Sequence, residues 1–151
     1  MSQDKFERLL QHHFPDRSDD WFASIRVGTL PSDADHGARA ILKGVKTLTA
    51  TLPWEWQDER EPFVNALSVV VDGKDEPVAI VETVRVERIR FADVTDDMAL
   101  AYGEGERSLL WWREHMGSYY HAYAQQAGQE FDSQSTLLFE TIRVVANLGR
   151  L

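Results

Sequence analysis

The segment ALSVVVDGKDEPVAIVETVRVERIRF, residues 66–91, constrains the fold of this chain more than any other. β-Branched residues crowd both of its halves, and they favour strands because their side chains pack well on a pleated sheet. The DGKD between the halves is typical of a hairpin turn. The segment therefore predicts two or three strands, with the run from Val78 to Val86 continuing the hairpin.

Four other segments show the three- and four-residue spacing of apolar side chains that predicts a helix. They are residues 3–14, residues 32–44, a short stretch from Thr95, and a long stretch from Ser108 to about Ala127. Pro15 ends the first helix, because proline cannot continue the backbone hydrogen bonds. Ser32 is the candidate N-cap of the second helix, and Gly44 is its C-terminal end.

Two further strands are predicted outside the hairpin. KTLTATL, residues 46–52, alternates threonine with apolar residues, and TLLFETIRVV, residues 136–145, closes the chain as a last strand. The strands outnumber the helices and are not separated by regular helices. The sequence therefore predicts an α+β domain around a small, mixed, mostly antiparallel, barrel-like sheet with flanking helices, rather than a doubly wound parallel sheet.

Length, charge and composition narrow the class of protein. A chain of 151 residues, 43% hydrophobic and 27% charged, is typical of a single globular domain. It has no apolar run long enough to cross a bilayer and no signal-peptide pattern at its start, so we expect a cytoplasmic protein without a membrane partner. The absence of cysteine excludes disulfides, zinc–thiolate sites and thiol nucleophiles. A net charge of −9 disfavours extensive contact with nucleic acid but leaves room for a small ligand or a short basic groove.

The GEGE at residues 103–106 is the first candidate for chemistry. Gly103 and Gly105 adopt positive φ at little cost, so the backbone can turn sharply and direct Glu104 inward. The alternative is an ordinary connection that places acidic residues near a helix N-terminus, where the helix dipole favours them.

The second candidate is Lys46, which precedes the threonines of KTLTATL. A threonine attacks well only when a base removes its proton, and a lysine is such a base only when burial or nearby positive charge lowers its pKa. Residues 46 and 49 of a regular strand point to opposite faces, so a Lys46–Thr49 pair requires Lys46 to lie in the turn before the strand, or a bulge between them. The alternative is a surface lysine beside threonines that serve only β-propensity.

The long helix contributes aromatic and basic candidates. Trp112 falls on the apolar stripe that faces the core, whereas Trp111 lies about 100° away, above His115. Trp111 is therefore either covered by another segment or offers a flat surface to a ligand. Arg107 and Arg113 are either binders of phosphate or carboxylate, or members of surface ion pairs.

The five histidines do not show a metal-binding pattern. His12 and His13 are adjacent and point apart on a helix, His115 and His121 also diverge, and His36 is alone. No carboxylate cluster has ligand spacing either, so we expect neither a metal nor another cofactor.

Taken in this order, GVKTLTATL, GEGERSLLWWREH and FETIRVV resemble the ASCH domain family, which is related to PUA-like RNA-binding domains. The resemblance runs from about residue 27 to residue 145. It implies one ASCH domain over residues 1–151, with an N-terminal helix at about 3–14 before the core. It also implies a small β-barrel with flanking helices, and a cleft where the Lys-Thr segment meets the Glu-Gly-Glu segment.

Members of this family are described as RNA-binding modules. Some small bacterial members remove acyl groups from the N4 amine of acylated cytidine, and at least one longer member cleaves single-stranded RNA. In the amidohydrolases a lysine, a threonine and a glutamate act together. The resemblance assigns these catalytic roles to Lys46, Thr49 and Glu104, with Glu106 as the substitute if the alignment shifts by two residues.

Further residues around the cleft are expected to bind the ligand. They are Thr47, Arg107, Ser108, Trp111, Arg113, His115 and Tyr119. A tryptophan of the loop after the threonine strand, Trp54 or Trp56, is a further candidate for stacking on a base.

The leading hypothesis is hydrolysis of the N4 amide of a modified cytidine-type nucleoside, which as a neutral molecule needs no basic surface. The alternative is a single-stranded RNA binder or ribonuclease whose lysines and arginines contact phosphates; they are Lys43, Lys46, Arg107 and Arg113. A third hypothesis is a non-catalytic adaptor that binds a protein through exposed tryptophans of PWEWQDEREPF. The sequence leaves the oligomeric state open.

Overall fold

The computed structural model describes residues 2–149 and contains four α-helices and five β-strands within that range. The helices are α1 (Gln3–His13), α2 (Pro31–Leu42), α3 (Asp96–Tyr102) and α4 (Leu109–Gln126). The strands are β1 (Trp21–Ile25), β2 (Leu48–Thr51), β3 (Leu67–Val71), β4 (Pro77–Arg90) and β5 (Thr136–Asn147). Short 3-10 helices at Pro15–Asp20, Pro53–Trp56 and Phe91–Asp93 complete the connections.

The predicted hairpin forms the centre of the sheet. Strands β3 and β4 pair antiparallel, and the Asp72 carboxylate holds the turn by accepting the N–H groups of Lys74 and Glu76 at 2.8 and 3.0 Å. Strand β3 is buried along its whole length because both of its faces are covered, which explains why its sequence is apolar except for Ser68. The two or three strands expected here are two, because β4 runs unbroken across two register shifts.

The five strands form one sheet in the order β1-β3-β4-β5-β2. All neighbours pair antiparallel except β1 and β3, which are parallel, so the predicted mixed, mostly antiparallel α+β sheet is confirmed. Strand β1 itself was absent from the sequence prediction. Although β1 and β2 occupy the two edges, their residues line one cavity, so the sheet curls toward a barrel-like form.

Three apolar clusters hold the helices against the sheet. Helix α1 packs Phe6 and Leu10 on one face of β3, and α2 packs Ala38 and Ile41 on the other. Helices α3 and α4 share the third cluster with β2 and β5, centred on Trp112. This arrangement leaves the α2–β2 turn beside the α3–α4 connection, which is where the candidate site lies.

Two local predictions need correction. The second helix begins at Pro31, and the carboxylate of Asp33 accepts the Leu30 N–H at 3.2 Å, so Ser32 is not the N-cap. The physical reason is that proline is preorganised for the first helical turn, which makes Leu30 the N-cap, two residues before Ser32. The threonine strand is shorter than predicted and begins at Leu48.

No helix within residues 2–149 is both long and apolar enough to cross a membrane. The tryptophans of the loop after β2 are packed rather than exposed. Trp54 lies 5.1 Å from Tyr123 and Trp56 lies 5.0 Å from Phe22, measured between ring centroids. Both indoles are half-buried, which removes the observation on which the adaptor hypothesis depended.

Candidate active site

Lys46 lies in the turn between α2 and β2, before the strand begins. Helix α2 ends at Leu42, Gly44 takes a φ of 74°, and the N–H groups of Val45 and Lys46 both donate to the Ala40 carbonyl, at 2.9 and 3.0 Å. In a regular strand, residues 46 and 49 would point to opposite faces of the sheet. Because Lys46 lies in the turn before β2, its side chain is free to approach the same side as Thr49.

The Lys46 ammonium is buried, with 2% of the residue exposed, and is fully hydrogen-bonded. It donates to the carbonyls of Leu48 and Tyr102, each at 2.9 Å, and to Glu104 Oε2 at 2.7 Å. Its Nζ also lies 3.5 Å from the centre of the Tyr102 ring, a cation–π contact. An ammonium has three protons, so these acceptors satisfy all of them.

Glu104 reaches Lys46 because the two glycines beside it allow a close approach of three segments. Gly103 ends α3 with a φ of 68°, and a Cβ there would lie 2.5 Å from the Val45 carbonyl oxygen. Gly105 has a φ of 60°, and a Cβ there would lie 2.1 Å from the Trp111 ring. Any larger residue at either position would push the Glu104 turn away from Lys46 or from α4.

Burial and charge act on Lys46 in opposite directions. Burial lowers the pKa of its ammonium, the Glu104 carboxylate raises it, and burial dominates, so the pKa lies below its ordinary value. The Glu104 side chain is 23% exposed and lies at the opening of the site. The pair therefore joins an amine that is shielded from water to a carboxyl group that a ligand can reach.

Thr49 faces the same space from β2. Both Lys46 and Thr49 line a cavity of about 1230 Å³ between the edge strands β1 and β2. As described in residues 2–149, no hydrogen bond joins the two side chains, because the Lys46 protons go to the three acceptors named above. The structure thus brings Lys46 and Glu104 into contact and Thr49 into their cavity.

The cavity carries more acidic than basic side chains. The acidic ones are Asp33, Glu55, Glu104, Glu114 and Glu140. The lysine and arginine side chains are Arg26 and Lys46, and Lys46 is already paired with Glu104. Within residues 2–149 no group of three or more histidine or acidic side chains is arranged to hold a metal ion.

A family model, described as the ASCH domain, matches residues 24–146. The chain belongs to the ASCH domain family. Its structure is similar to that of the ASCH domain from Lactobacillus crispatus JV V101, with a TM-score of 0.83 and 25% identity over 95% of each chain. It is also similar in fold to a protein from Enterococcus faecalis V583, with a TM-score of 0.79 and 20% identity over 94% of this chain and 86% of the other. None of the curated proteins is significantly similar in sequence.

Membership of the ASCH family supports an RNA-binding or hydrolase-like domain, and a nucleic acid or nucleoside as its ligand, in general terms. The family also accounts for the fold, since the Lactobacillus ASCH domain shares the sheet with flanking helices seen here.

Three of the predicted ligand-binding residues line the cavity of this ASCH domain. They are Trp111, His115 and Tyr119, all on α4. Trp111 is half-buried and stacks on His115, with ring centroids 4.5 Å apart and planes 11° apart. Trp112 is buried in the core, as its place on the apolar stripe predicts. Of the two adjacent tryptophans, Trp111 therefore lines the cavity and Trp112 packs in the core.

The other four predicted residues lie outside the cavity lining. The hydroxyl of Ser108 caps α4 by accepting the Trp111 N–H at 3.1 Å. Arg107 and Arg113 are exposed and direct their guanidinium groups at backbone carbonyls nearby. Thr47 precedes β2. The alternation of side-chain directions that brings Thr49 and Thr51 to the cavity therefore does not extend to Thr47.

Sequence reasoning missed the buried carboxyl group of the cavity, Glu140 on β5. It lies between Leu138 and Ile142 on one face of the strand, and all three are buried. A single acidic residue on an otherwise apolar strand face was the available signal, since buried carboxylates need a reason to be there.

Proposed function

We propose that this ASCH domain is an amidohydrolase that removes an acyl group from the N4 amine of a cytidine-type nucleoside. The observation that carries the proposal is the contact of the buried Lys46 with the part-exposed Glu104, joined at 2.7 Å and opening onto a cavity that Thr49 also lines. An amine, a carboxyl group and a hydroxyl in one recess are the groups that acyl transfer to a threonine requires.

The first half of the reaction transfers the acyl group to the protein. Lys46 passes a proton to Glu104 across their contact, which burial favours because it disfavours the charged amine. As Thr49 Oγ1 attacks the acyl carbon, the Lys46 amine takes the hydroxyl proton. Glu104 then protonates N4 as the C–N bond breaks, which releases cytidine and leaves an ester on Thr49.

The second half hydrolyses that ester. Glu104 takes a proton from water as the water oxygen attacks the acyl carbon, and Lys46 returns a proton to Thr49 Oγ1 as it departs. A proton then passes from Glu104 to Lys46, which restores the ion pair. Thr49 and Lys46 are not hydrogen-bonded without substrate, and catalytic hydrogen bonds commonly tighten only when the substrate is bound.

The charge of the cavity supports a neutral nucleoside as the substrate. Five carboxyl groups face one lysine and one arginine there, and a phosphate would meet an excess of negative charge. Aromatic side chains line the same space and are suited to stack on a base; they are Trp56, Trp111 and Tyr119.

The test is release of cytidine from N4-acetylcytidine, followed by chromatography. We expect turnover by the wild type and a loss of at least about a hundredfold in Thr49→Val, since the nucleophile is removed without a change of shape. Thr47→Val is the matched control, because Thr47 lies outside the cavity lining, and it should retain activity. A wild-type rate no higher than that of Lys46→Ala would overturn the proposal.

Binding or cleavage of single-stranded RNA is the second candidate function. It is favoured by the size of the cavity, about 1230 Å³, which exceeds the roughly 300 to 1,000 Å³ typical of small-molecule sites. Association with RNA should weaken steeply between about 50 and 200 mM salt, because phosphate contacts release counterions. Hydrolysis of an uncharged nucleoside should change little over that range, so a salt series separates the two functions.

A further inference from the structure

Glu140 lies in the floor of the cavity and has no role in the proposed hydrolysis. Only 6% of the residue is exposed. In the antiparallel pairing of β2 with β5 it is directly opposite Thr49, and residues paired in this way point to the same face of the sheet. The Glu140 carboxylate and the proposed nucleophile therefore face the cavity side by side.

The Glu140 carboxylate has a single protein hydrogen bond within residues 2–149. The Thr83 hydroxyl donates to Glu140 Oε1 at 2.9 Å, and no lysine or arginine of the described range forms an ion pair with it. Thr83 stands at a register shift of β4 opposite β5, where a bulge re-aims side chains. The bulge and the hydroxyl orient Oε1, and Oε2 has no hydrogen-bond donor among residues 2–149, although the residue lines the cavity.

Glu82, the other carboxylate buried to this degree within residues 2–149, is compensated by cations. It is 7% exposed and lies within 2.8 Å of Arg17 and 2.6 Å of Arg143. The part-exposed Glu104 is also paired, with Lys46. Burying a carboxylate without a cation costs stability, and a glutamine would fill the same volume without that cost. An uncompensated carboxylate beside an open cavity is therefore explained best by a donor that arrives with the ligand.

We propose that Glu140 is a specificity-determining residue whose Oε2 accepts a hydrogen bond from the N4–H of the pyrimidine, so that the cavity takes cytosine and rejects uracil. This inference rests on the proposed function in taking a cytosine nucleoside as the ligand. It adds a role that neither Lys46 nor Thr49 provides, because those residues act on the acyl group rather than on the base.

The chemistry of the two bases explains the discrimination. Cytosine has an N–H donor at position 4, and an acylated amine keeps one N–H, so substrate and product both offer the donor. Uracil has a carbonyl oxygen at that position, whose lone pairs would face the carboxylate in a dry site. A site built to bind a donor rejects an analogue that lacks it, because the buried acceptor is then left unpaired.

The experiment measures the dissociation constants of cytidine and uridine by calorimetry. In the wild type, cytidine should bind about ten- to a hundredfold more tightly than uridine, as expected for one hydrogen bond to a charged group. Glu140→Gln should bring the two constants close to equality, because an amide can donate to uracil as well as accept from cytosine. Glu114→Gln removes the same charge from an exposed position of the cavity and should keep the wild-type preference.

Three results would each overturn the assignment. They are equal affinities of the wild type for the two nucleosides, no measurable cytidine binding at millimolar concentration, and an unchanged preference in Glu140→Gln. Failure of the acetylcytidine assay with the cytosine preference intact would reject the hydrolysis alone. If Glu140→Gln does not fold, Glu140→Asp replaces it. That variant keeps the charge at a shorter reach, and it should weaken cytidine binding while still rejecting uridine.

Discussion

The ammonium of Lys46 and the carboxylate of Glu104 lie 2.7 Å apart although 58 residues separate them in the chain. The contact forms because the α2–β2 turn and the end of α3 meet at Gly103. It is also tied to the backbone, since the same ammonium binds the carbonyls of Leu48 and Tyr102. The ion pair therefore holds the α2–β2 turn against the α3–α4 connection. In the proposed function, the same two side chains also transfer the protons of the reaction.

Glu104→Gln should lower the rate of cytidine release by at least about a hundredfold, the usual contribution of general acid–base catalysis. The amide cannot exchange protons with Lys46 or protonate the leaving amine. The matched control is Glu106→Gln, which makes the same change at an exposed residue of the same turn. Rates measured with N4-acetylcytidine decide between the two residues, and a loss confined to the Glu106 variant would move the carboxylate role to Glu106.

Gly103→Ala should destabilise the protein more than Gly128→Ala. Both glycines have positive φ, at 68° and 70°, so each substitution carries a backbone cost of about 1 to 2 kcal/mol. Only at Gly103 does the new Cβ meet other atoms, with Val45 O at 2.5 Å and Lys46 Cα at 2.6 Å. We expect an additional loss of about 1 to 3 kcal/mol there.

Urea denaturation measures both free energies of unfolding. Equal losses for the two variants would mean that the Gly103 turn moves aside freely. In that case the close approach of α3 to Lys46 is not a requirement of the fold.

Glu140→Gln should stabilise the protein near neutral pH by about 1 kcal/mol or more, as replacement of a buried, uncompensated charge can. Burial raises the pKa of the Glu140 carboxyl above its ordinary value, against a smaller lowering by the Thr83 hydrogen bond. When the pKa of a carboxyl group is higher in the folded than in the unfolded protein, the group contributes to stability at a pH below its unfolded pKa. That contribution disappears as the pH rises through the folded pKa.

The advantage of Glu140→Gln should therefore vanish as the pH falls toward about 4, near the unfolded pKa of glutamate. Denaturation midpoints from pH 4 to pH 8 provide the measurement. A variant that is less stable than the wild type at neutral pH would show that the carboxylate has a stabilising partner in the unliganded protein.

Glu82→Gln should show the opposite pattern and lose about 1 to 2 kcal/mol at neutral pH. Burial raises the pKa of the Glu82 carboxyl, but the hydrogen bonds and charges of Arg143 and Arg17 outweigh it, so the net pKa is lowered. The contribution is present above the unfolded pKa and is lost as pH falls through the folded pKa. The same pH series tests this, and a stability difference that grows on acidification would contradict it.

Much of the fold could be predicted because it depends on local patterns. The spacing of apolar residues placed α1 and α4 nearly to the residue, and DGKD with its flanking β-branched runs identified the central hairpin. These signals are visible in sequence because each helix or strand must turn one face to the core. Strand β1 gave no such signal, since it is short and its burial does not alternate regularly.

The candidate site could be anticipated only in part. Lys46, Thr49 and Glu104 were identified through the resemblance to the ASCH family, because their spacing alone favoured ordinary surface roles. Glu140 was missed, since an acidic residue in a strand is common and only its burial opposite Thr49 sets it apart. Arg107 and Arg113, the arginines proposed for phosphate binding, do not line the cavity. Their surroundings depend on which distant segments pack beside them, and the spacing of residues in the sequence does not show that.

The sequence by itself determined most of the elements, namely the four helices and every strand except β1, and it established that any nucleophile must be something other than a thiol. Those properties depend on neighbours within a few residues. Only the tertiary structure decided that the amine of Lys46 is buried and bound to Glu104, and that Glu140 is buried with no cation from residues 2–149 beside it. Burial and long-range pairing arise when distant segments pack together, and no local pattern encodes the distance between them.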